Sequence, residues 1–163
     1  MTDKIFNVLF VCNQNAGRSQ MAEVLLNTVG KHRFRAFSAG IEPAAAIDPL
    51  TLETIRKGGF STNGLTVKGL DAFVAADTPH MDFVVTVSEE LADFMVPLKG
   101  HVMGAHWPIP GPAPLRASQA EKAAAFAEAF KMIRRRVELF VELPMSSLDR
   151  LTLQRKVDEI GTS

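Results

Sequence analysis

Cys12 is the only cysteine among the 163 residues, and it stands where a thiolate nucleophile would be useful. It follows the apolar run Ile5-Phe6-Asn7-Val8-Leu9-Phe10-Val11 and opens the octet Cys12-Asn13-Gln14-Asn15-Ala16-Gly17-Arg18-Ser19, after which a helical pattern begins at once. A buried strand, a tight small-residue loop closed by arginine, and a helix start make an oxyanion cradle with a nucleophile at its base. Helix N-termini and neighbouring arginines are the surroundings that turn a thiol into a reactive thiolate. The loop from Asn13 through Gln14, Asn15, Ala16 and Gly17 to Arg18 is the expected oxyanion-binding set, its backbone N–H groups directed inward as in other anion nests. Ala16 and Gly17 are small enough for close backbone approach, and the Arg18 fork can hold two oxygens of a tetrahedral anion. Ser19 can reach back to the Cys12 sulfur, and Asn15 can brace the loop from inside. The expected catalytic set is therefore Cys12, Arg18 and Ser19. A Walker-type nucleotide loop is excluded, because it needs glycine and lysine where this octet has Cys12 and Arg18. The plainer reading, Cys12 as a small buried hydrophobe at a strand end, leaves Arg18 and Ser19 at these offsets unexplained.

The elements that must position this loop alternate. Residues 5–11 form a near-continuous apolar run, as a parallel strand covered on both faces requires. Ala22, Leu25, Leu26 and Val29 share one face of a helix over about 18–30. A second strand is expected at 33–38, ended by Ser38-Ala39-Gly40. Asp48-Pro49 is a helix start, since Asp caps free N–H groups and Pro fits the first turn. Gly58-Gly59 stops that helix. A third strand runs Met81 to Val87, a helix begins at Ser88 and continues to about Phe94, and a short fourth strand lies near 100–105. Pro108, Pro110, Pro112 and Pro114 make 107–116 a stiff loop. Ser118-x-x-Glu121 is a capping box, opening a long helix with Phe126, Phe130, Ile133, Val137 and Phe140 on one face. An amphipathic segment runs from Leu148 to Ile160. Strands alternating with helices predict a parallel α/β sandwich. Ligands in such sheets sit beyond the carboxyl ends of strands, which is where Cys12 falls.

Composition narrows the classes. Apolar residues are 47% and charged residues 22%, ordinary for a soluble domain of this length. Lys plus Arg equals Asp plus Glu at 18 each, so charge gives no reason to expect nucleic acid or an anionic membrane as partner. No apolar run approaches the roughly 20 residues a membrane span needs. The start lacks a basic region and a cleavage site, and one cysteine cannot form an internal disulfide, so a cytoplasmic location is expected. His32, His80 and His101 show no ligand spacing, and no metal site is expected.

Val8-Leu9-Phe10-Val11-Cys12, then Asn15, Arg18, Ser19 and Met21-Ala22-Glu23, resemble the low-molecular-weight protein tyrosine phosphatase superfamily, closest to its arsenate reductase branch. Ser38-Ala39-Gly40 and the strand 82–87 fit the same pattern, and the resemblance covers roughly residues 4–143. It implies a three-layer sandwich with a four-stranded parallel sheet flanked by helices. It implies Cys12 as nucleophile and Arg18 as oxyanion binder. Residues 1–145 would form the phosphatase-like domain. Residues 146–163 would be a C-terminal amphipathic extension, packed on the domain or at a dimer interface, leaving monomer and homodimer both open.

Three departures from the family pattern matter. Family members carry an Asp-Pro pair before the last long helix, the Asp being the general acid. Here Gly111 stands in its place and Pro112 is retained. His106, expected on the same loop, is the candidate substitute acid, because histidine titrates near neutrality. Phosphatases of this family wall the phosphotyrosine cleft with tyrosines, and this chain contains none. Trp107 is the candidate aromatic wall beside Gly111. Thioredoxin-coupled arsenate reductases of this fold resolve the first intermediate with two further cysteines, which are absent here. No bound cofactor is expected, and an external thiol such as glutathione or mycothiol would regenerate Cys12.

The leading reading is an arsenate reductase-like enzyme, with arsenate or phosphate as the oxyanion and a glutaredoxin-like redoxin as candidate partner. The alternatives are a low-molecular-weight protein tyrosine phosphatase hydrolysing phosphate monoesters through a phosphocysteine, and a catalytically impaired oxyanion-binding protein. Arg134-Arg135-Arg136 reads as a solvated helix face, with a redoxin docking patch as the alternative.

Overall fold

The computed structural model describes residues 4–75, 77–98, 100–111 and 116–163. Four strands, β1 (Phe6–Cys12), β2 (Phe34–Gly40), β3 (Phe83–Ser88) and β4 (Met103–Ile109), pair in parallel in the order β2-β1-β3-β4. Four helices follow or separate them: α1 (Arg18–Val29), α2 (Pro49–Lys57), α3 (Gln119–Val141) and α4 (Arg150–Ile160). Among the described residues no helix is long and apolar enough to cross a membrane.

Strand periodicity decides which side chains share a face. Val8, Phe10 and Cys12 of β1 join Val85 and Val87 of β3 and Trp107 and Ile109 of β4 in the large core. Leu25 and Leu26 of α1, Ile55 of α2, Val137 and Phe140 of α3, and Val157 of α4 pack into the same core. Leu9 and Val11 point the other way, into a smaller cluster with Val84, Phe73 and Leu91 that short 3₁₀ turns cover at Leu70–Phe73 and Glu89–Leu91. Cys12 therefore faces the helices.

Local chemistry sets the helix starts. Asp48 accepts from the Leu50 N–H at 2.9 Å, with Pro49 in the first turn. Ser118 and Glu121 form the reciprocal capping box. Helix α1 begins after Gly17, with no side chain capping it, which leaves its first N–H groups facing the Cys12 loop.

Three expectations are corrected. The stretch from Ser88 forms only the single 3₁₀ turn Glu89–Leu91 instead of a helix to Phe94. Between Glu89 and Met95 only Leu91 is buried, and Met95 is 87% exposed, so a longer helix would have no apolar face to bury. The fourth strand begins at Met103 and runs through Pro108 to Ile109. A proline, lacking an N–H, is tolerated because β4 is an edge strand. The expected loop at 107–116 thus starts three residues late, and Pro112 to Leu115 lie outside the described residues. Arg136 is not on a solvated face. It is 4% exposed and donates from Nη1 to the Pro108 carbonyl at 2.8 Å, whereas Arg134 is half-exposed beside Glu138.

The segment 146–163 carries α4, which lies against β4. Val157 and Ile160 are buried, the Trp107 indole donates to the Val157 carbonyl at 3.0 Å, and Gln154 Nε2 donates to the Gly104 carbonyl at 2.9 Å. Helix α4 thereby covers an edge that would otherwise expose unpaired backbone.

Candidate active site

The loop after β1 is held by its carbonyls. The Cys12, Asn13 and Gln14 oxygens accept from the N–H groups of Ile41, Glu42 and Ala44 at 3.2, 2.8 and 3.0 Å. The Asn15 oxygen accepts from Gln20 Nε2 at 3.0 Å. The Ala16 oxygen accepts from the Asp48 N–H at 3.1 Å and from Thr51 Oγ1 at 2.8 Å. Five successive carbonyls are thus engaged from outside by the β2–α2 connection and by α1 and α2. The opposite, N–H-bearing edge of the loop is left toward a cavity of about 280 Å³. Gly40 is required for this fit, because a Cβ there would stand 2.7 Å from the Gln14 carbonyl carbon and 2.8 Å from the Asn15 nitrogen.

Beneath the loop lies a fully buried polar chain. Asn15 sits in the left-handed region at φ 55°, a conformation asparagine tolerates better than most residues. Its Oδ1 accepts from Gln20 Nε2 at 2.9 Å and from the Lys68 N–H at 2.8 Å. That fixes the amide so that Nδ2 donates to Ser19 Oγ at 2.7 Å. With that oxygen already accepting, the Ser19 hydroxyl proton is free for Cys12 Sγ, 2.7 Å away. The Asn15 N–H donates to the same sulfur at 3.2 Å. Two donors thus converge on Sγ, the arrangement a thiolate needs. Lys68 is itself anchored by Glu23, which accepts from Ser38 Oγ at 2.7 Å.

The cavity is lined by Cys12, Asn13, Gln14, Ala16, Gly17 and Arg18 on the loop side. Across from them stand Met21 of α1, Asp48, Glu90, Pro110, Gly111, and Ala125, Phe126 and Ala129 of α3. Arg18 donates from Nη1 to the Ile109 carbonyl at 2.9 Å and from Nη2 to Glu90 Oε1 at 3.2 Å. Its side chain is only 12% exposed, so the fork is pre-positioned at the cavity.

The structure brings together Cys12, Ser19, Arg18, Gln14, Ala16 and Gly17. It separates four other residues from the roles expected of them. The Asn13 N–H is taken by Ser88 Oγ at 3.1 Å, so that residue lines the cavity without a free backbone donor. Asn15 is buried behind the loop, and its N–H serves the sulfur instead of an oxyanion. His106 is not near Cys12. It lies in β4 opposite Thr86, on the sheet face away from the large core, with Nδ1 2.7 Å from Thr86 Oγ1. Burial lowers its proton affinity below the usual histidine value, with Arg136 adding to that and Thr86 and Asp93 opposing it. Trp107 is 1% exposed, between Phe10 and Phe140 at 6.1 and 5.6 Å, and walls nothing. Both misplacements have one cause: β4 runs past 107, so alternation sends Trp107 inward and His106 to the far face. Of the expected wall only Gly111 remains, where a Cβ would come within 3.9 Å of Arg18 Nη1.

Glu90, Phe126, Gln20 and Lys68 have no site role in the sequence reading, which places Phe126 only on the packing face of the long helix. Gln20 carried no signal, because on α1 it stands opposite the apolar Ala22, Leu25, Leu26 and Val29 face, in line with Glu23 and Asn27. Glu90 and Phe126 carried none, because only the fold brings the end of β3 and α3 beside Cys12.

A family model described as low molecular weight phosphotyrosine protein phosphatase matches residues 7–156. An arsenate reductase of Bacillus subtilis is 30% identical over 142 residues, covering 87% of this chain and 98% of its own. The solved structure of an arsenate reductase from Archaeoglobus fulgidus superposes with a TM-score of 0.67 at 30% identity, over 83% of this chain and 99% of that one. A thioredoxin-dependent arsenate reductase of Corynebacterium glutamicum gives a TM-score of 0.63 at 25% identity, over 90% of this chain and 66% of that one.

Proposed function

The chain belongs to the low molecular weight phosphotyrosine protein phosphatase family, and from that premise we propose that it is an arsenate reductase-like enzyme whose Cys12 is regenerated by an external thiol. The observation that carries this reading is the convergence of Ser19 Oγ and the Asn15 N–H on Cys12 Sγ, at the base of a loop whose carbonyls are all engaged elsewhere. A tetrahedral oxyanion entering the cavity meets the N–H groups of Gln14, Ala16 and Gly17 and the Arg18 fork, which neutralise charge as it develops. The Cys12 thiolate attacks arsenic; the S–As bond forms and an As–O bond breaks, releasing water. A thiol RSH then attacks the Cys12 sulfur. The S–As electron pair stays on arsenic, which leaves as arsenite, and the two sulfurs are oxidised to a Cys12–S–S–R disulfide. A second thiol reduces that disulfide by exchange. With one cysteine in the chain, both later thiols come from outside: glutathione or mycothiol, with a glutaredoxin-like redoxin. A lone nucleophilic thiol also fits a reducing compartment, the cytoplasm.

A second reading, hydrolysis of phosphate monoesters through a phosphocysteine, is favoured by one observation. Phe126 lines the cavity, offering an apolar surface to an aryl ester. Intact-mass analysis separates the two. Incubation of reduced protein with arsenate and glutathione is expected to add one glutathione to Cys12, and arsenate must be present. The same incubation is run with mycothiol, and an adduct that forms equally without arsenate, or forms with neither thiol, overturns the reductase reading.

A further inference from the structure

Arsenate or phosphate chemistry at Cys12 requires a proton for the departing oxygen, and Gly111 has no side chain to supply one. Among the described residues only two carboxylates line the cavity, Asp48 and Glu90. Asp48 is committed to the α2 terminus through Leu50. Glu90 is not committed in this way. It sits on the 3₁₀ turn directly after β3, at the same sheet end as Cys12. Its Oε1 lies 3.2 Å from Arg18 Nη2, while its side chain remains 48% exposed and in contact with bulk water. The Cβ that a residue 111 would carry comes within 3.9 Å of the other terminal nitrogen, Nη1. A carboxylate at 111 and the carboxylate of Glu90 would thus flank the same guanidinium from its two terminal nitrogens.

We propose that Glu90 is the proton-relaying residue of this enzyme, standing in for the acid missing at Gly111. The proposal rests on the reductase reading. Dihydrogen arsenate brings two As–OH groups into the cavity. Arg18 holds the oxyanion and, through Nη2, the Glu90 carboxylate beside it. As the Cys12 thiolate forms the S–As bond, Glu90 accepts the proton of one As–OH and passes it to the oxygen of the other. That oxygen leaves as water. The anion and thiolate, one negative charge each, become a Cys12–S–AsO₃ adduct carrying two, and Glu90 ends as the carboxylate it began as. No proton from solvent and no protonated side chain at rest is needed. Contact with the leaving oxygen makes Glu90 a catalytic residue, distinct from one that acts only by steadying Arg18.

Glu90→Gln tests this, because the amide oxygen still accepts from Arg18 but cannot relay a proton. Arsenite formation is followed with glutathione or mycothiol as reductant, and inorganic phosphate affinity is measured by titration calorimetry. The expected result is a fall in kcat of about 10²-fold, the lower range for lost acid–base catalysis. Phosphate affinity should stay unchanged or tighten. Adding Gly111→Asp to Glu90→Gln should restore about a tenfold part of the loss, since a carboxylate returns to the same guanidinium. Unchanged kcat in Glu90→Gln overturns the proposal. So does a fall confined to kcat/KM and matched by the loss of phosphate affinity, because Glu90 would then act only through Arg18. A double variant as slow as the single also overturns it. If wild-type protein forms no arsenite, the reductase reading itself fails and the relay fails with it.

Discussion

The two banks of the Cys12 cavity are built to different standards. On one bank, from Cys12 to Gln20, five successive carbonyls are engaged and Asn15 spends its side chain on three partners. On the other, Gly111 and Ala125 contribute no polar side-chain group, Phe126 adds only a ring, and Trp107 turns away into the core. The fold over-determines one half of the site and leaves the other half sparse. In the proposed chemistry, oxyanion binding and nucleophilic attack rest on many mutually supporting hydrogen bonds. Proton handling in that proposal falls to the one carboxylate that the end of β3 presents, Glu90. A buried network of that kind fails as a unit, whereas an open bank tolerates and even rewards substitution.

The largest effect should come from the joint between the banks. Arg18→Lys keeps the charge but loses the planar fork, and kcat for arsenite formation should fall about 10²–10³-fold, as when one oxyanion donor is removed. A loss of only a fewfold would mean that the loop N–H groups carry the oxyanion alone. Next, Asn15→Ala leaves the partly buried Lys68 N–H without its acceptor, takes the donor from the buried Ser19 hydroxyl, and puts alanine at a positive φ. Each orphaned buried group costs about 1–3 kcal/mol, so the urea midpoint should drop clearly and turnover with it. An unchanged midpoint would show that the first bank is less tightly coupled than its geometry implies.

The second bank should respond in the opposite sense. Gly111→Asp meets no atom closer than Arg18 Nη1 at 3.9 Å, so it should fold normally and raise kcat by about tenfold, a fraction of what acid catalysis supplies. A drop instead would show that the position excludes a carboxylate. The smallest effect is expected at His106. His106→Gln should leave arsenite formation at wild-type level, because the side chain lies across the sheet from Cys12. It should instead change the pH dependence of stability. Burial holds His106 below the histidine value it regains on unfolding. Between those two values the unfolded chain binds more protons, so wild-type stability falls as pH drops through that window and levels off below it. The glutamine variant should lack that decline in a denaturant-midpoint series.

What was legible in the sequence follows the same division. The octet could be read because its chemistry is contiguous: strand, loop, arginine and helix start are neighbours along the chain. The Ser118–Glu121 box and the Asp48 cap were legible for that reason too. The opposite bank was not. It is assembled from the end of β3, the end of β4 and α3, and its reading turned on where β4 ends. Pro108 looked like a loop residue and proved to be an edge-strand residue. That displaced His106 and Trp107 from the site and left Glu90, which has no local signature, to be found only from the fold.

Thiol-dependent reduction of arsenate by Cys12 is the proposed activity of this cradle. Its most direct test is to measure initial rates of arsenite release and of aryl phosphate hydrolysis side by side, with wild-type and Cys12→Ser protein in the same thiol buffer. Arsenite should appear only when arsenate, external thiol and Cys12 are all present, at a rate well above ester hydrolysis. Rapid ester hydrolysis by wild-type protein with no arsenite formed would contradict it.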